Sequence, residues 1–207
     1  MEDISISTSD FSIVTNPPIS SRKKEKKFVI EHLKSHFGKD NPEYPVFLLA
    51  ETPEEEKTLA FEGGNVIRYG CKHFFVGLNE RTNIKGFKKF QSILKRVGKG
   101  YTATPIVILD PTLHLKCFAS YLGNGVILGE KKILKKYKQF DDIEILDTGD
   151  FGNFSNVVSV NNNVLIDVRA PQELEYKLET MGFQVYRTSN SEFCKVDGDI
   201  TCRSLLV

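Results

Sequence analysis

The chain has 207 residues, 40% of them apolar and 27% charged, with a net charge of +1. That length suffices for a single domain, residues 1–207, with a real core, and the balanced charge gives no strong field toward nucleic acid or an anionic membrane surface. No apolar run approaches the roughly 20 residues of a membrane span, and the polar start "MEDISISTSD" has no signal-peptide core, so a cytoplasmic protein is expected.

Taken in chain order, the elements cycle through strand, turn, strand, helix, strand. In the first cycle "ISIST" and "FSIVTN" flank the Ser9-Asp10 turn, and a basic helix follows, "SRKKEKKFVIEHLKSHFG". Phe28, Ile30, Leu33 and Phe37 recur in it at helical spacing, and Gly38 suits the position just past its end. "YPVFLLA" closes the cycle. The second cycle runs "FEGGNVIRYG", "HFFVGLN", helix "IKGFKKFQSILKRVG" and "TPIVILD". Phe87, Phe90, Ile93, Leu94 and Val97 share one face of that helix. The third runs "LHLKCFASYLG", "GVILG", a short helix around "KKILKKYKQF", and "IEILD". The fourth joins "SNVVSV" to "NVLIDVR" through Asn161-Asn162. It continues with a helix entered at Pro171 and striped by Leu174, Leu178 and Met181, and ends, after Gly182, with "FQVYRT".

These are four ββαβ units of about 40 to 60 residues, a length range typical of repeat architectures. Each unit needs a neighbour to bury its faces, so an α/β ring of such units is expected. The final "KVDGDITCRSLLV" reads as the opening strand of a fifth unit, which leaves the ring incomplete.

Polar residues recur at the same phase. Glu2-Asp3, Glu62 and His114 each precede or begin the first strand of a unit, and Cys202 lies in the opening strand of the fifth. In a ring, such positions converge on the pseudo-symmetry axis. A thiol, an imidazole and carboxylates together can form an activated nucleophile, a proton carrier and an orienting acid. Gly63-Gly64 would let backbone approach a ligand closely, and an acidic site favours a guanidinium, whose planar fork pairs with carboxylates. Each residue also has a plainer reading. Cysteines are commonly buried, and Cys71, Cys117 and Cys194 are assigned to the core. "TPEEEK" reads as a solvated acidic loop and "RKKEKK" as a solvated helix face. The four cysteines show no C-x-x-C pair, and His32, His36, His73 and His114 form no short-spaced ligand set, so reduced thiols and no metal are expected.

The stretches "ED" at Glu2-Asp3, "SRKKE" at 21–25, "EGGNV", "FFVGLNERTN", "LHLK" and "KVDGDITCRSLLV" resemble the dimethylarginine dimethylaminohydrolase family of the guanidine-modifying pentein, or amidinotransferase-like, superfamily. The resemblance implies a five-bladed α/β propeller and, as function, hydrolysis of Nω-methylated arginine to citrulline and an alkylamine, within arginine metabolism and nitric oxide regulation. It implies Cys202 as nucleophile, His114 as proton carrier and Glu62 as the acid that holds it. It further implies Glu2 and Asp3 at the substrate guanidinium, Arg22 and Arg81 at its carboxylate, and Asp197 as another substrate contact. No cofactor is implied. Lys116 stands where deiminases of the superfamily carry the aspartate of a His-x-Asp motif, which favours a methylated substrate.

The family pattern begins upstream of Met1, Asn65 replaces an acid, and Arg203 follows the nucleophile where a second cysteine is common. The expectation is therefore an N-terminally truncated chain, an enzyme whose missing blade comes from a homo-oligomer, another partner or upstream sequence. The alternative is an inactive fragment or pseudoenzyme that only binds arginine derivatives or a protein. A structural protein with a coincidental cysteine is a third reading.

Overall fold

Short apolar strands alternating with one crossover per unit build four three-stranded sheets in the computed structural model, which describes residues 2–37, 41–109, 114–149 and 154–204. β1 (Ser5–Ser7), β2 (Ser12–Val14) and β3 (Val46–Leu48) form the first sheet, and β4 (Val66–Tyr69), β5 (His73–Leu78) and β6 (Thr102–Val107) the second. The third contains β7 (Ala119–Gly123), β8 (Val126–Gly129) and β9 (Glu144–Asp147). The fourth contains β10 (Val158–Val160), β11 (Asn163–Asp167) and β12 (Gln184–Thr188).

In every sheet the first two strands pair antiparallel and the last two parallel. Hairpins make the first pairing and helical crossovers the second, because a parallel neighbour cannot be reached by a tight turn. Asn161-Asn162, with φ of 49° and 63°, supplies the positive-φ hairpin turn of the fourth unit.

From the second unit on, the crossover helices are wedged between successive sheets. α1 (Ser20–Lys23) and α2 (Glu25–Phe37) cross in the first unit, α4 (Ile84–Val97) in the second and α6 (Gln172–Thr180) in the fourth; α3 (Pro53–Thr58) joins the first two units. α4 begins at Asn83, whose Oδ1 accepts from Gly86 N at 2.8 Å, and ends at left-handed Gly98. Its Phe87, Phe90, Ile93 and Leu94 pack between the first sheet (Ile6, Phe11, Ile13) and the second (Phe74, Val76). Each such buried side chain stabilises the fold by about 1.5–3 kcal/mol. The third crossover, α5 (Lys131–Leu134) with a 3-10 turn at Lys138–Phe140, fills the next interface, and α6 the one after. α2 covers the first sheet alone, through Val29 and Leu33 against Ile4 and Val14.

Several expectations are corrected here. Phe28 is 70% exposed, because the inward stripe of α2 runs through Lys26, Val29 and Leu33. Lys26 is buried from the supposedly solvated basic run, its ammonium pairing with Glu56 and lying 3.3 Å from Asn16 Oδ1. The "TPEEEK" segment is α3, capped by Thr52, whose Oγ1 accepts from Glu55 N at 3.2 Å. Met181 lies beyond the end of α6 and is partly exposed, since the helical face no longer turns inward there. Cys71, Cys117 and Cys194 are exposed rather than core. Gly38 falls outside the described residues.

The polar residues of the repeat phase sit in 3-10 turns (Glu2, Asp3, Cys202) or immediately before them (Glu62, His114), not in strands. Glu2–Ile4, Gly63–Asn65 and Leu115–Cys117 each lead into the first strand of a unit. Thr201–Arg203 is a fourth turn of this kind, so Cys202 lies in a turn rather than an opening strand; residues 205–207 fall outside the described residues. A 3-10 turn is tight, and four of them at matching phase bring short polar side chains toward a common centre. The Thr201–Arg203 turn packs against Glu2–Ile4, which brings residues from both ends of the chain together.

Candidate active site

Glu62 is fully buried and extended just before the Gly63–Asn65 turn, its N–H donating to Thr82 Oγ1 at 3.1 Å. Its Oε2 lies 2.7 Å from His114 Nε2, and its Oε1 is 3.6 Å from Arg81 Nη1. The same imidazole nitrogen is 3.6 Å from Asp3 Oδ1. Asp3 is fixed from two sides: Gly64 N–H donates to Oδ1 at 2.9 Å and Arg22 Nη1 to Oδ2 at 2.6 Å. Burial works to raise the Asp3 carboxyl, but His114, Arg22 and the Gly64 N–H outweigh it and hold it below the ordinary aspartate range. Lys116 clamps Glu2 and reaches Gly63 O at 3.3 Å.

The paired glycines are sterically required. A Cβ on Gly63 would lie 1.9 Å from Glu2 O. One on Gly64 would lie 2.6 Å from Asp3 Oδ1 and 2.7 Å from His114 Nδ1. Asn65 ties the turns together: its Oδ1 accepts from Leu115 N at 2.9 Å, and its Nδ2 donates to Asn79 Oδ1 at 2.9 Å and Thr82 Oγ1 at 3.1 Å.

Cys202 lines a cavity of about 930 Å³ that Glu2, Gly64, His114, Lys116 and Asp197 also line. Asn156 holds its turn: Oδ1 accepts from Thr201 N at 3.0 Å, and Nδ2 donates to Thr201 Oγ1 at 3.0 Å and Lys116 O at 3.3 Å. Burial, with the Glu2, Asp3 and Asp199 carboxylates, pushes the Cys202 thiol up to about 11 against a backbone hydrogen bond at Asp199. Cys117 and Cys194 line the same cavity, and Glu2, Lys116 and Thr201 also border a second one of about 510 Å³ along β1, β4, β7 and β10.

The structure thus brings Glu2, Asp3, Glu62, His114, Asp197 and Cys202 together. Arg22 and Arg81 stand behind the acids and, among the described residues, do not line the cavity; Arg169 does. Asp3, Glu62 and His114 each place one potential metal-ligating atom within 4.8 Å of the others. Two of those acceptors already receive hydrogen bonds, from Gly64 N–H and from His114.

No family model matches the chain. It is similar to the N(G),N(G)-dimethylarginine dimethylaminohydrolase of Pseudomonas aeruginosa, 29% identical over 206 residues, 99% of this chain and 74% of that protein. A solved structure of that enzyme, a cysteine-to-serine mutant complexed with citrulline, superposes with a TM-score of 0.82 at 27% identity, over 99% of this chain and 74% of the other. Along nearly its whole length the chain is thus similar to a dimethylarginine dimethylaminohydrolase, in sequence and in fold. An amidinotransferase of the saxitoxin biosynthetic pathway from Microseira wollei shares the fold at 17% identity and a TM-score of 0.77, over 97% of this chain and 67% of that one. The four sheets are accordingly those of the pentein-type α/β propeller.

Against the residues expected of a dimethylarginine dimethylaminohydrolase, sequence reasoning missed the supporting groups. Asn156 could have been found, because it stands before β10 as Glu62 stands before β4. Arg169, Asn190 and Asp199 lie in loops or at their edges, and no periodicity singles them out.

Proposed function

We propose that the chain hydrolyses Nω-methylated arginine to citrulline and an alkylamine through a covalent intermediate on Cys202. The observation that carries the reading is a histidine held by a buried glutamate at 2.7 Å, facing a cavity shared with a cysteine. In the proposed first step the Cys202 thiol gives its proton to His114 as the sulfur bonds to the guanidinium carbon; the carbon–nitrogen bond to the alkylamine then breaks, and the amine leaves with that proton from His114. A water then adds to the same carbon, giving its proton to His114. The carbon–sulfur bond breaks, and citrulline leaves. Nε2 of His114 is engaged by Glu62, so Nδ1, beside the bare Gly64, is the nitrogen that carries the proton.

The raised Cys202 thiol fits a site that activates on binding. A guanidinium beside it offsets the surrounding carboxylates and favours the thiolate. Glu2, Asp3 and Asp197 take the guanidinium end. Arg22 and Arg81 are assigned to the substrate carboxylate, which requires Arg22 to exchange Glu25, 3.2 Å from its Nε, for the ligand.

Citrulline release from dimethylarginine is the direct test. Activity retained by Cys202→Ser would refute the mechanism. A chloroacetamidine-type probe should label Cys202 by displacing chloride, with protection by dimethylarginine. Labelling no faster at Cys202 than at Cys117 would sink the site.

A further inference from the structure

We infer that Asp199 is a specificity-determining residue of this cavity, a carboxylate that binds a cationic N–H group of the ligand beside Cys202. The inference rests on the proposed function and adds to its site a residue outside the expected set. Asp199 lines the cavity with Cys202, Glu2 and His114. Its main-chain oxygen accepts from Cys202 N at 3.2 Å, so it begins the turn that presents the thiol.

The carboxyl group is deliberately aimed. Oδ1 accepts from Ile200 N at 2.8 Å and from Asn190 Nδ2 at 2.9 Å. Asn190 is itself 1% exposed, and its Nδ2 also faces Cys194 Sγ at 3.2 Å and Gly198 O at 3.5 Å. A support buried to that degree locks the side chain's orientation. Oδ2 has no hydrogen-bond partner among the described residues.

The charges around it leave room for a cation. Asp167 and Glu2 act on Asp199 as like charges, and Arg169 is the opposing one. Arg169, however, is already forked onto Asp167, with Nε to Oδ1 and Nη2 to Oδ2 both at 2.8 Å. Burial is the first cause, and the neighbouring acids a further one, that raise the Asp199 carboxyl above the ordinary aspartate range. A partly desolvated carboxylate without its own cation gains most from one brought by a ligand. Lys116 takes the place of the third-position acid on the His114 turn and is turned to Glu2. Asp199 supplies an acid from the Cys202 turn instead.

The test separates charge recognition from scaffolding. Calorimetric titrations use the Cys202→Ser protein, which leaves the ligand intact, with dimethylarginine as the cationic ligand and citrulline as its neutral counterpart. Adding Asp199→Asn keeps an acceptor for Ile200 and Asn190 but removes the charge. Dimethylarginine binding should weaken about ten- to hundredfold, the worth of a charge-assisted hydrogen bond, while citrulline binding stays unchanged. Equal weakening of both ligands, or no change in either, overturns the assignment. Should the variant fail to fold, the Cys202→Ser parent still decides: dimethylarginine, unlike citrulline, should release a proton on binding near the pH at which Asp199 titrates, and equal proton release for both overturns it. A parent that binds neither ligand defeats the functional reading itself, and this inference with it.

Discussion

The two walls of the cavity are built differently. On one side Glu62 and Asp3 are buried, the glycines admit no side chain, and Asn65 links the second unit's turn to the third's. On the other side Cys202 sits in a turn held by Asn156 and Asp199, next to exposed Cys194 and Asp197. The acid–imidazole wall is preorganised. The thiol wall is more open and, before a ligand arrives, electrostatically unfavourable for the reactive thiolate. Under the proposed mechanism the contrast is a division of labour: one wall fixes geometry in advance, and the other is switched on by the charge of what it binds.

The largest effect should come from removing the charge at the centre of the rigid wall. Glu62→Gln preserves the shape and a hydrogen bond to His114 but not the orienting carboxylate, and citrulline formation should fall about 10²- to 10⁴-fold. Circular dichroism should stay unchanged. Activity close to that of the parent would mean that His114 needs no acid behind it. Gly64→Ala should come next, because its Cβ would meet Asp3 Oδ1 at 2.6 Å and the His114 ring at 2.7 Å. Displacing those groups by an ångström should reduce turnover about a hundredfold. A wild-type rate would show that the two side chains can shift without consequence.

The thiol wall makes a prediction of similar size with the opposite logic. Moving the Cys202 thiol from its ordinary 9.0 to about 11 leaves about a hundredfold less thiolate at neutral pH. A neutral alkylating agent should therefore modify Cys202 slowly at pH 7, and the rate should keep climbing with pH until about 11. A cationic amidine reagent, which brings its own positive charge, should escape much of that penalty. Equal pH profiles for the two reagents would erase the distinction between the walls.

How much of this was legible in the sequence follows from the same contrast. The strands, α4 and the repeat phase were readable because periodicity and caps repeat the same instruction locally: Asn83, the apolar face of α4 and Gly98 agree with one another. Glu62 and His114 were readable because they fall at equal phase in successive units. Lys26 was misread because a tertiary ion pair to Glu56 buries a side chain that looks solvated in isolation; α3 was passed over although its start, Thr52 before Pro53 and three glutamates, is a local helix signal. The placement of Cys202 was misread as strand because "ITCRSLLV" has a strand's composition; the 3-10 segment is closed by Cys202 N–H donating to Asp199 O and anchored by Thr201 N–H donating to the distant Asn156 Oδ1. Long-range polar contacts of this kind leave no mark in local pattern.

The smallest predicted effect compares the two asparagines that serve the walls. Asn65 is fully buried and links three partners, so Asn65→Ala should leave Leu115 N and Thr82 Oγ1 short of hydrogen bonds and lower stability by about 1–3 kcal/mol. Asn156 makes as many bonds, but two of the three go to a turn near the end of the described chain and the third to Lys116 O. Asn156→Ala should cost less in a urea titration, since a terminal turn can loosen without unfolding the sheets. It should instead raise the rate at which Cys202 is labelled, because the turn that buries the thiol is then less firmly held. A stability loss as large as that of Asn65→Ala, with Cys202 labelling unchanged, would show the Cys202 turn to be as firmly built into the fold as Glu62 and His114.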